Sequence, residues 1–482
     1  MRDRFSPGEV GVGFLVALVA RASTATLLLS LRPANNPGAW QASWATVAPD
    51  TLVHLESVEN LLSTGTFEPD WRPPGYALPY LLLRLFFGAA DAGSALCVFQ
   101  VICSALAVLF LAAIALELEG SRRLALAVFI TFTASSFTAA YDSYLLTESL
   151  AISVLIGMVW ALLRLRRSDS HRFALAVGIL GAWAVFLRPV LVAVVVGMGL
   201  WLSGPSMRKT TRSVVLLLPL AVGLGAWGGR GLSLHHKFEP LGPRWAPSYR
   251  PVDRALQTFV QAFGGSIVHW NPKAEIVWFE FMIHKSYRIP EGAAGRISFP
   301  SGMYTSLVTP KSLEGIKTRL KASIHPGIDE VTRNAEQTAV ARDLERMTES
   351  IRSERPLFFY VIAPLRVLRS HLAHSGTVDL LPVPWRELSW PLLFFKLAMS
   401  GLYAWVVVFG LIGVSLFLLG PKSDPWGWAL VAGSFLVPLL VYTVVLRLDE
   451  YRYFASSFPF ALIFACRASS KLLLWRGGNP LA

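Results

Sequence analysis

Four side chains that can carry protons, Asp50, His54, Glu56 and Glu59, follow the first apolar stretch of the chain, and the run Asp70-Trp71-Arg72-Pro73-Pro74-Gly75-Tyr76 comes soon after. A carboxylate or an imidazole in such a place can act as a general base. If residues 50–62 form a helix, Asp50 caps or opens it and His54 lies one turn on, on the same face. Capping is a full alternative, because an Asp directly after a proline commonly satisfies the first backbone N–H groups of a helix. Asp142 and Glu148 flank the start of a later apolar run. Glu148 also has two readings, a functional carboxylate or a favourable charge at a helix N-terminus. Arg72, Arg188, Arg447 and Arg452 stand at the ends of apolar runs. Singly, each suits a snorkelling anchor. Gathered on one face, the four suit an anion. Arg21 lies near the middle of an apolar run and must pair inside a bundle or line a water-filled cavity.

The elements that hold these residues are dominated by apolar helix. Of 482 residues, 54% are hydrophobic and only 16% charged, and the mean hydropathy is +0.50. That composition excludes an ordinary soluble domain. Apolar stretches of about 15 to 25 residues recur at both ends of the chain and avoid its middle. Spans are expected near residues 10–31, 94–117, 123–140, 144–163, 173–187, 190–203, 213–229, 391–419, 426–446 and 453–474. The fold class is therefore an all-α polytopic membrane protein with about ten transmembrane helices. Arg122 and Arg123, Arg164 to Arg172, Arg208 to Arg212, Lys422, and Arg467 to Arg476 fall on the same side as the N-terminus, which the positive-inside rule makes cytoplasmic for both termini. Parity requires that Pro74 to Gly88 does not cross, so it reads as an interfacial or re-entrant helix. Arg188 and Pro189 split 173–203 into two short spans. Arg2 and Arg4 precede a first span that reads as uncleaved.

Three parts follow: a membrane module with the first outer loop over 1–230, an outer segment over 231–390 and a second group of spans over 391–482. Within the outer segment, Ile328 to Arg352 reads as a helix and Leu357 to Leu372 as an amphipathic helix on the membrane surface. Lys311, Lys317, Arg319 and Lys321 make that segment basic, as an anionic acceptor or a lipid headgroup surface would require. The net charge of +13 thus follows from membrane sidedness and calls for no nucleic acid. Cys97, Cys103 and Cys466 fall inside apolar spans, without a disulfide framework or metal cluster. No Walker loop or dinucleotide-binding glycine pattern is present, which argues against nucleotide-driven chemistry.

Six motifs come in a definite order: Asp50 after the first span; Leu61-Leu62-Ser63-Thr64-Gly65-Thr66-Phe67 ending a helix; Arg72-Pro73-Pro74-Gly75-Tyr76 entering an apolar one; Tyr144-Leu145-Leu146-Thr147-Glu148-Ser149-Leu150; Leu187-Arg188-Pro189; and Arg447 to Pro459. In type and order they resemble the GT-C superfamily of membrane glycosyltransferases, particularly its protein mannosyltransferase-like and aminoarabinose transferase-like bacterial branch. The likeness covers the first 230 residues and, more loosely, the last 40, while Arg230 to Trp390 lies outside it. Members often carry Asp-Glu or Asp-Asp at the first acidic position. Here Thr51 follows Asp50, which weakens a metal reading at that spot.

The resemblance implies inverting transfer of a sugar from a polyprenyl-phosphate donor to an extracytoplasmic cell-envelope glycan, lipid or protein, at the bacterial inner membrane. It implies Asp50 as base, His54, Asp142 and Glu148 as positioning groups for acceptor or metal, and Arg72, Arg188, Arg447 and Arg452 around the donor phosphate. No cofactor is assigned, and a divalent cation stays open. Trp227, Trp245, Tyr249, Trp270 and Trp278 suit either sugar stacking or an interfacial belt. His235, His236, His269, His284, His325, His371 and His374 lack zinc-motif spacing, apart from the last pair, and read as surface residues. Two rivals remain: an envelope polysaccharide ligase or polymerase using diphosphate-linked glycans, and a transporter, for which the chain lacks the expected internal repeats.

Overall fold

Apart from an isolated bridge between Thr46 and Tyr144, the described residues form helices and their connections. The computed structural model describes residues 5–30, 44–47, 50–168, 170–202, 207–242, 250–265, 299–323, 327–373, 375, 385–419, 424–448 and 450–476. Trp245, Tyr249, His269, Trp270, Trp278, His284, His325 and His374 lie outside them. The chain divides into two units, one of Met1–Gly242, His374–Pro438 and Phe454–Ala482, the other of Pro243–Ala373 and Leu439–Tyr453.

In chain order the first unit contributes α1 (Pro7–Ser30), α2 (Thr51–Thr64), α3 (Ala77–Glu119), α4 (Arg122–Ala134), α5 (Ser136–Ala139), α6 (Thr147–Ser168), α7 (His171–Leu187), α8 (Val192–Leu202) and α9 (Met207–His235). The second contributes α10 (Pro251–Ala262), α11 (Pro310–Ser323), α12 (Glu330–Glu354) and α13 (Ala363–Ala373). Then follow α14 (Trp390–Leu419), α15 (Pro425–Leu440) and α16 (Phe458–Arg476). Among the described residues six helices are long and apolar enough to cross a membrane: α1, α3, α6, most of α9, α14 and the stretch Pro425–Leu446. The bent pair Arg122–Ala134 and Ser136–Ser143 makes a seventh if it is one span, and His171–Leu187 and Pro189–Gly199 are apolar but shorter. The protein is thus an all-α, multi-pass membrane protein. A total of ten spans needs the short helices and the arginine-bearing α16 to cross as well.

Backbone breaks fall where glycine or proline demands them. The α3 stretch is two helices joined at Gly88, whose φ of 77° and ψ of 178° belong to a region open essentially to glycine alone. The preceding apolar segment therefore forms a helix of its own, with Leu78, Leu82, Leu85, Phe86 and Phe87 exposed. Arg188 is extended between α7 and a single 3-10 turn at Pro189–Leu191, because proline cannot continue the helical hydrogen bonding.

Burial ranks the spans of this unit. The apolar window of α6 is 89% buried and that of α1 only 22%, so α6 is central and α1 turns its apolar side chains toward lipid. Small residues allow close packing: Gly410 and Gly413 of α14 lie against the backbone of Ala461 and Phe464 of α16, where an added Cβ would approach to 3.0 and 2.4 Å.

The second unit has its own apolar core, with Leu256, Phe259 and Phe263 from α10 and its C-terminal turn, Leu313 from α11 and Leu344 and Ile351 from α12. The Asp329 side chain caps α12 by accepting from Thr332 N at 2.9 Å. Arg319 ties α11 to Glu336 and Asp343 of α12. The segment expected as one amphipathic helix over 357–372 begins as a π-helical turn, Phe358–Ile362, before α13. His371, read from sequence as a surface residue, is instead fully buried. Its Nε2 lies 2.7 Å from the Leu448 carbonyl. Burial pushes its pKa down to about 4, against the opposing effect of that carbonyl.

Candidate active site

The helix that sequence places at 50–62 forms as α2, opened by Asp50. Asp50 makes no side-chain capping hydrogen bond, its backbone being already helical with φ −75° and ψ −14°. Its neighbour Thr51 donates through Oγ1 to the Leu145 carbonyl at 2.9 Å. Thr46 N donates to Ser143 O at 2.7 Å, and Leu145 N donates back to Thr46 O at 2.9 Å. The first loop is thereby fastened to the turn that carries Asp142 and leads into Glu148.

A buried amide holds that turn from below. Gln100 of α3 is fully buried. Its Nε2 donates to the carbonyls of Tyr144 at 2.8 Å, Asp142 at 3.1 Å and Tyr141 at 3.4 Å. Its Oε1 accepts from Tyr76 OH at 2.7 Å. The Tyr76 ring in turn meets His54 edge-on at 5.5 Å. One side chain therefore couples the 141–144 turn to α2. Gln100 is the residue that motif reading missed, although a lone amide inside an apolar run was a visible signal.

The two inner carboxylates are matched to arginines. Asp142, 1% exposed, faces Arg21 at 3.8 Å and accepts from Ser149 Oγ at 2.6 Å. Arg21 also donates to Thr138 Oγ1 and Phe132 O and stacks on the Phe132 ring, so the mid-span arginine is paired inside the bundle. Glu148, at the start of α6, forms a buried ion pair with Arg188. Glu59 is bound by Tyr80 at 2.7 Å and Arg84 at 2.9 Å, which fixes α2 against α3.

Arg72 is different. Its guanidinium stacks on Trp71 at 4.5 Å, and its buried Nε has no hydrogen-bond partner. The turn after it is pressed on the end of α7: a Cβ on Gly75 would lie 2.4 Å from the Phe186 carbonyl carbon, and Trp183 Nε1 donates to Gly75 O at 2.8 Å. That contact brings the Arg72 turn to the helix end preceding Arg188. Asp70 beside it binds Arg230 and, at 2.7 Å, His235 Nε2. Burial opposes its charge, but the His235 and Arg230 contacts outweigh burial and hold its carboxyl below the usual range.

Arg447 and Arg452 belong to the second unit. Arg447, in a left-handed conformation with φ 51°, lies 4.0 Å above the Phe359 ring, and its buried Nη1 has no partner. Burial lowers its pKa, and Arg352 adds repulsion. Arg452 pairs with Glu450 and stacks on Tyr453.

Among the described residues no three His, Cys, Asp or Glu side chains come together as a metal-ligand set. Asp142 and Glu148 already face guanidinium groups, so this donor set does not fit a divalent ion.

No protein-family model matches the chain, and no curated protein matches it. Among solved structures it is similar over nearly its whole length to ArnT from Cupriavidus metallidurans. The apo structure matches with 12% identity over 98% of this chain and 81% of that one, at a TM-score of 0.34. The structure bound to undecaprenyl phosphate matches with 13% identity over 99% and 82%, also at 0.34. At that TM-score it carries no argument about mechanism.

Proposed function

We propose that this chain is an inverting membrane glycosyltransferase that moves a sugar from a polyprenyl-phosphate donor to an extracytoplasmic acceptor in the bacterial cell envelope. The observation that carries the reading is the fastening of the Asp50 helix end to the 143–145 turn, within the unit that also holds Arg72, whose buried Nε has no hydrogen-bond partner among the described residues. Asp142 and Glu148 each face an arginine, and Asp50, at the open end of α2, is the carboxylate assigned the general-base role.

In this reading the acceptor oxygen or nitrogen attacks the anomeric carbon and its proton passes to the Asp50 carboxylate. The bond from that carbon to the phosphate oxygen breaks, and polyprenyl phosphate leaves with the electron pair. Arg72, with no carboxylate partner among the described residues, offers a cation for the leaving phosphate. Arg188, neutralised by Glu148, orients rather than binds alone. Arg447 and Arg452 keep their donor-phosphate assignment on sequence grounds. His54 positions the acceptor, and no step is assigned to a metal. Ten crossings, cytoplasmic termini, the interfacial helix before Gly88 and an outer domain over 231–390 complete the proposed topology. The test is release of polyprenyl phosphate from polyprenyl-phosphate sugars by purified protein with envelope extract. A phosphate-release rate that falls in Arg72→Gln with a raised KM supports the cation assignment, and an unchanged KM refutes it.

A further inference from the structure

Within the second unit two arginines meet on one aromatic ring. Phe359 lies in the π-helical turn before α13. Arg447 Cζ is 4.0 Å from its ring centroid, and Cζ of Arg352, in the last turn of α12, is 5.4 Å from it. Each contact is favourable by itself, since a guanidinium is attracted to the face of a ring. Together they bring two like charges to one side chain, and Arg352 repels Arg447 enough to oppose its charged form. Arg352 was not among the residues that the sequence motifs singled out. Arg452, which was, is matched by Glu450.

The protein supplies little negative charge in return. Among the described residues no carboxylate acts on Arg447. Arg352 has only Glu349, 3.3 Å away, and both side chains of that pair are more than half exposed, so it is weak and exchanges readily for another anion. Donors remain open on both arginines. Arg447 Nε donates to Val444 O and its Nη1 is enclosed, which leaves Nη2 for a ligand, while Arg352 stands in the open. The exposed Tyr360 acts on both guanidiniums and adds a hydroxyl that can donate to the same anion.

The surroundings are those of a lipid. Arg447 is the first residue after Pro425–Leu446, a stretch long and apolar enough to cross a membrane. A helix that crosses a bilayer ends at headgroup level, where lipid phosphates lie. Val444 and Val445 just before it are exposed, as are Leu357, Val361 and Leu365 along the segment that carries Phe359. Spacing of four residues puts those last three on one side of the segment. Apolar side chains exposed beside an uncompensated pair of cations suit a ligand with a hydrocarbon chain and an anionic head.

We propose that Arg352 and Arg447, with the Tyr360 hydroxyl, form a site for the phosphate group of a membrane lipid whose hydrocarbon chain lies against Leu357, Val361 and Leu365. Arginine suits this group because its fork of N–H donors matches phosphate oxygens. A polyprenyl phosphate and a bilayer phospholipid both carry the group. Assigning the site to the sugar donor rests on the transferase reading; the phosphate site itself does not.

The test is binding of three probes to the full chain in uncharged detergent, read by native mass spectrometry: undecaprenyl phosphate, phosphatidylglycerol and uncharged diacylglycerol. Arg352→Gln and Arg447→Gln should each weaken binding of the same phosphate lipid by roughly tenfold and leave diacylglycerol as in wild type. Arg346→Gln makes the same charge change on the same helix, at a residue paired with Asp343, and should leave all three probes unchanged. Weakening confined to undecaprenyl phosphate gives the site to a donor-like lipid, and weakening of phosphatidylglycerol, alone or as well, gives it to bilayer phospholipid; both outcomes support the site. Wild type that binds neither phosphate lipid overturns the proposal. So does undiminished binding of both in either folded variant, or a loss that Arg346→Gln or diacylglycerol reproduces. Melting of each variant reports folding, and Arg352→Gln, on an exposed helix face, decides the matter if Arg447→Gln does not fold. No sugar or turnover enters the measurement, so a protein that binds the lipid and transfers nothing loses the transferase reading and keeps the site.

Discussion

At the scale of single residues, charge matching decides which groups hold the bundle together. Arg21 and Asp142 are 121 positions apart in sequence yet form one buried pair, and removing one partner of such a pair costs about 3–5 kcal/mol. Asp142→Asn and Arg21→Met should each lower the melting temperature strongly, with a double variant much less destabilised than the sum of the two. Additive losses would separate the residues. His371 gives a pH signature. Its pKa is about 4 in the folded protein against an ordinary 6.5, so the unfolded chain binds the proton more tightly. Stability from this group is complete above pH 6.5 and falls, by about 3 kcal/mol in all, as pH drops through 4. In denaturation at pH 7 and pH 4, His371→Gln should lose less stability on acidification than wild type. The sequence showed Arg21 as a residue in need of a partner, but nothing local could identify Asp142. It showed His371 as one of several scattered histidines, because burial by α13 and the 439–453 segment is a tertiary outcome.

At the scale of elements, local rules were legible and long-range clamps were not. The helix after Asp50, the break at Arg188 and Pro189, and the helix near 328–352 all follow from caps, proline and periodicity. The separate helix before Gly88 was legible as an apolar segment that parity excluded from the spans. Gly88→Ala should destabilise the protein by about 1–3 kcal/mol, since its φ and ψ are strained for any side chain; an unchanged melting temperature would mean that the α3 break does not need this conformation. The Gln100 clamp was not legible, because its carbonyl acceptors at 141–144 lie in another helix connection. Gln100→Leu leaves the Tyr76 hydroxyl and three carbonyls without this partner and should cost about 1–3 kcal/mol for each group left unsatisfied. It should also lower turnover more than substrate affinity, because it loosens the turn under Asp50. Tyr76→Phe, which removes only one bond, should do less on both measures.

At the scale of the whole molecule, composition alone identified the solvent as lipid, and the order of six weak motifs is what carries the resemblance to the GT-C superfamily. The 231–390 segment was opaque because its core is assembled from α10, α11 and α12, whose sequences carry ordinary amphipathic patterns and no shared motif. The central claim, that Asp50 is the base of a polyprenyl-phosphate-sugar transferase, rests on one unit and can be tested directly. The measurement is polyprenyl-phosphate release by wild type and Asp50→Asn, each first shown to melt at the same temperature. Release by wild type, reduced by roughly 10²–10⁴-fold in Asp50→Asn, is the predicted result. No release by wild type from any donor, or an undiminished rate in the folded variant, would contradict the account.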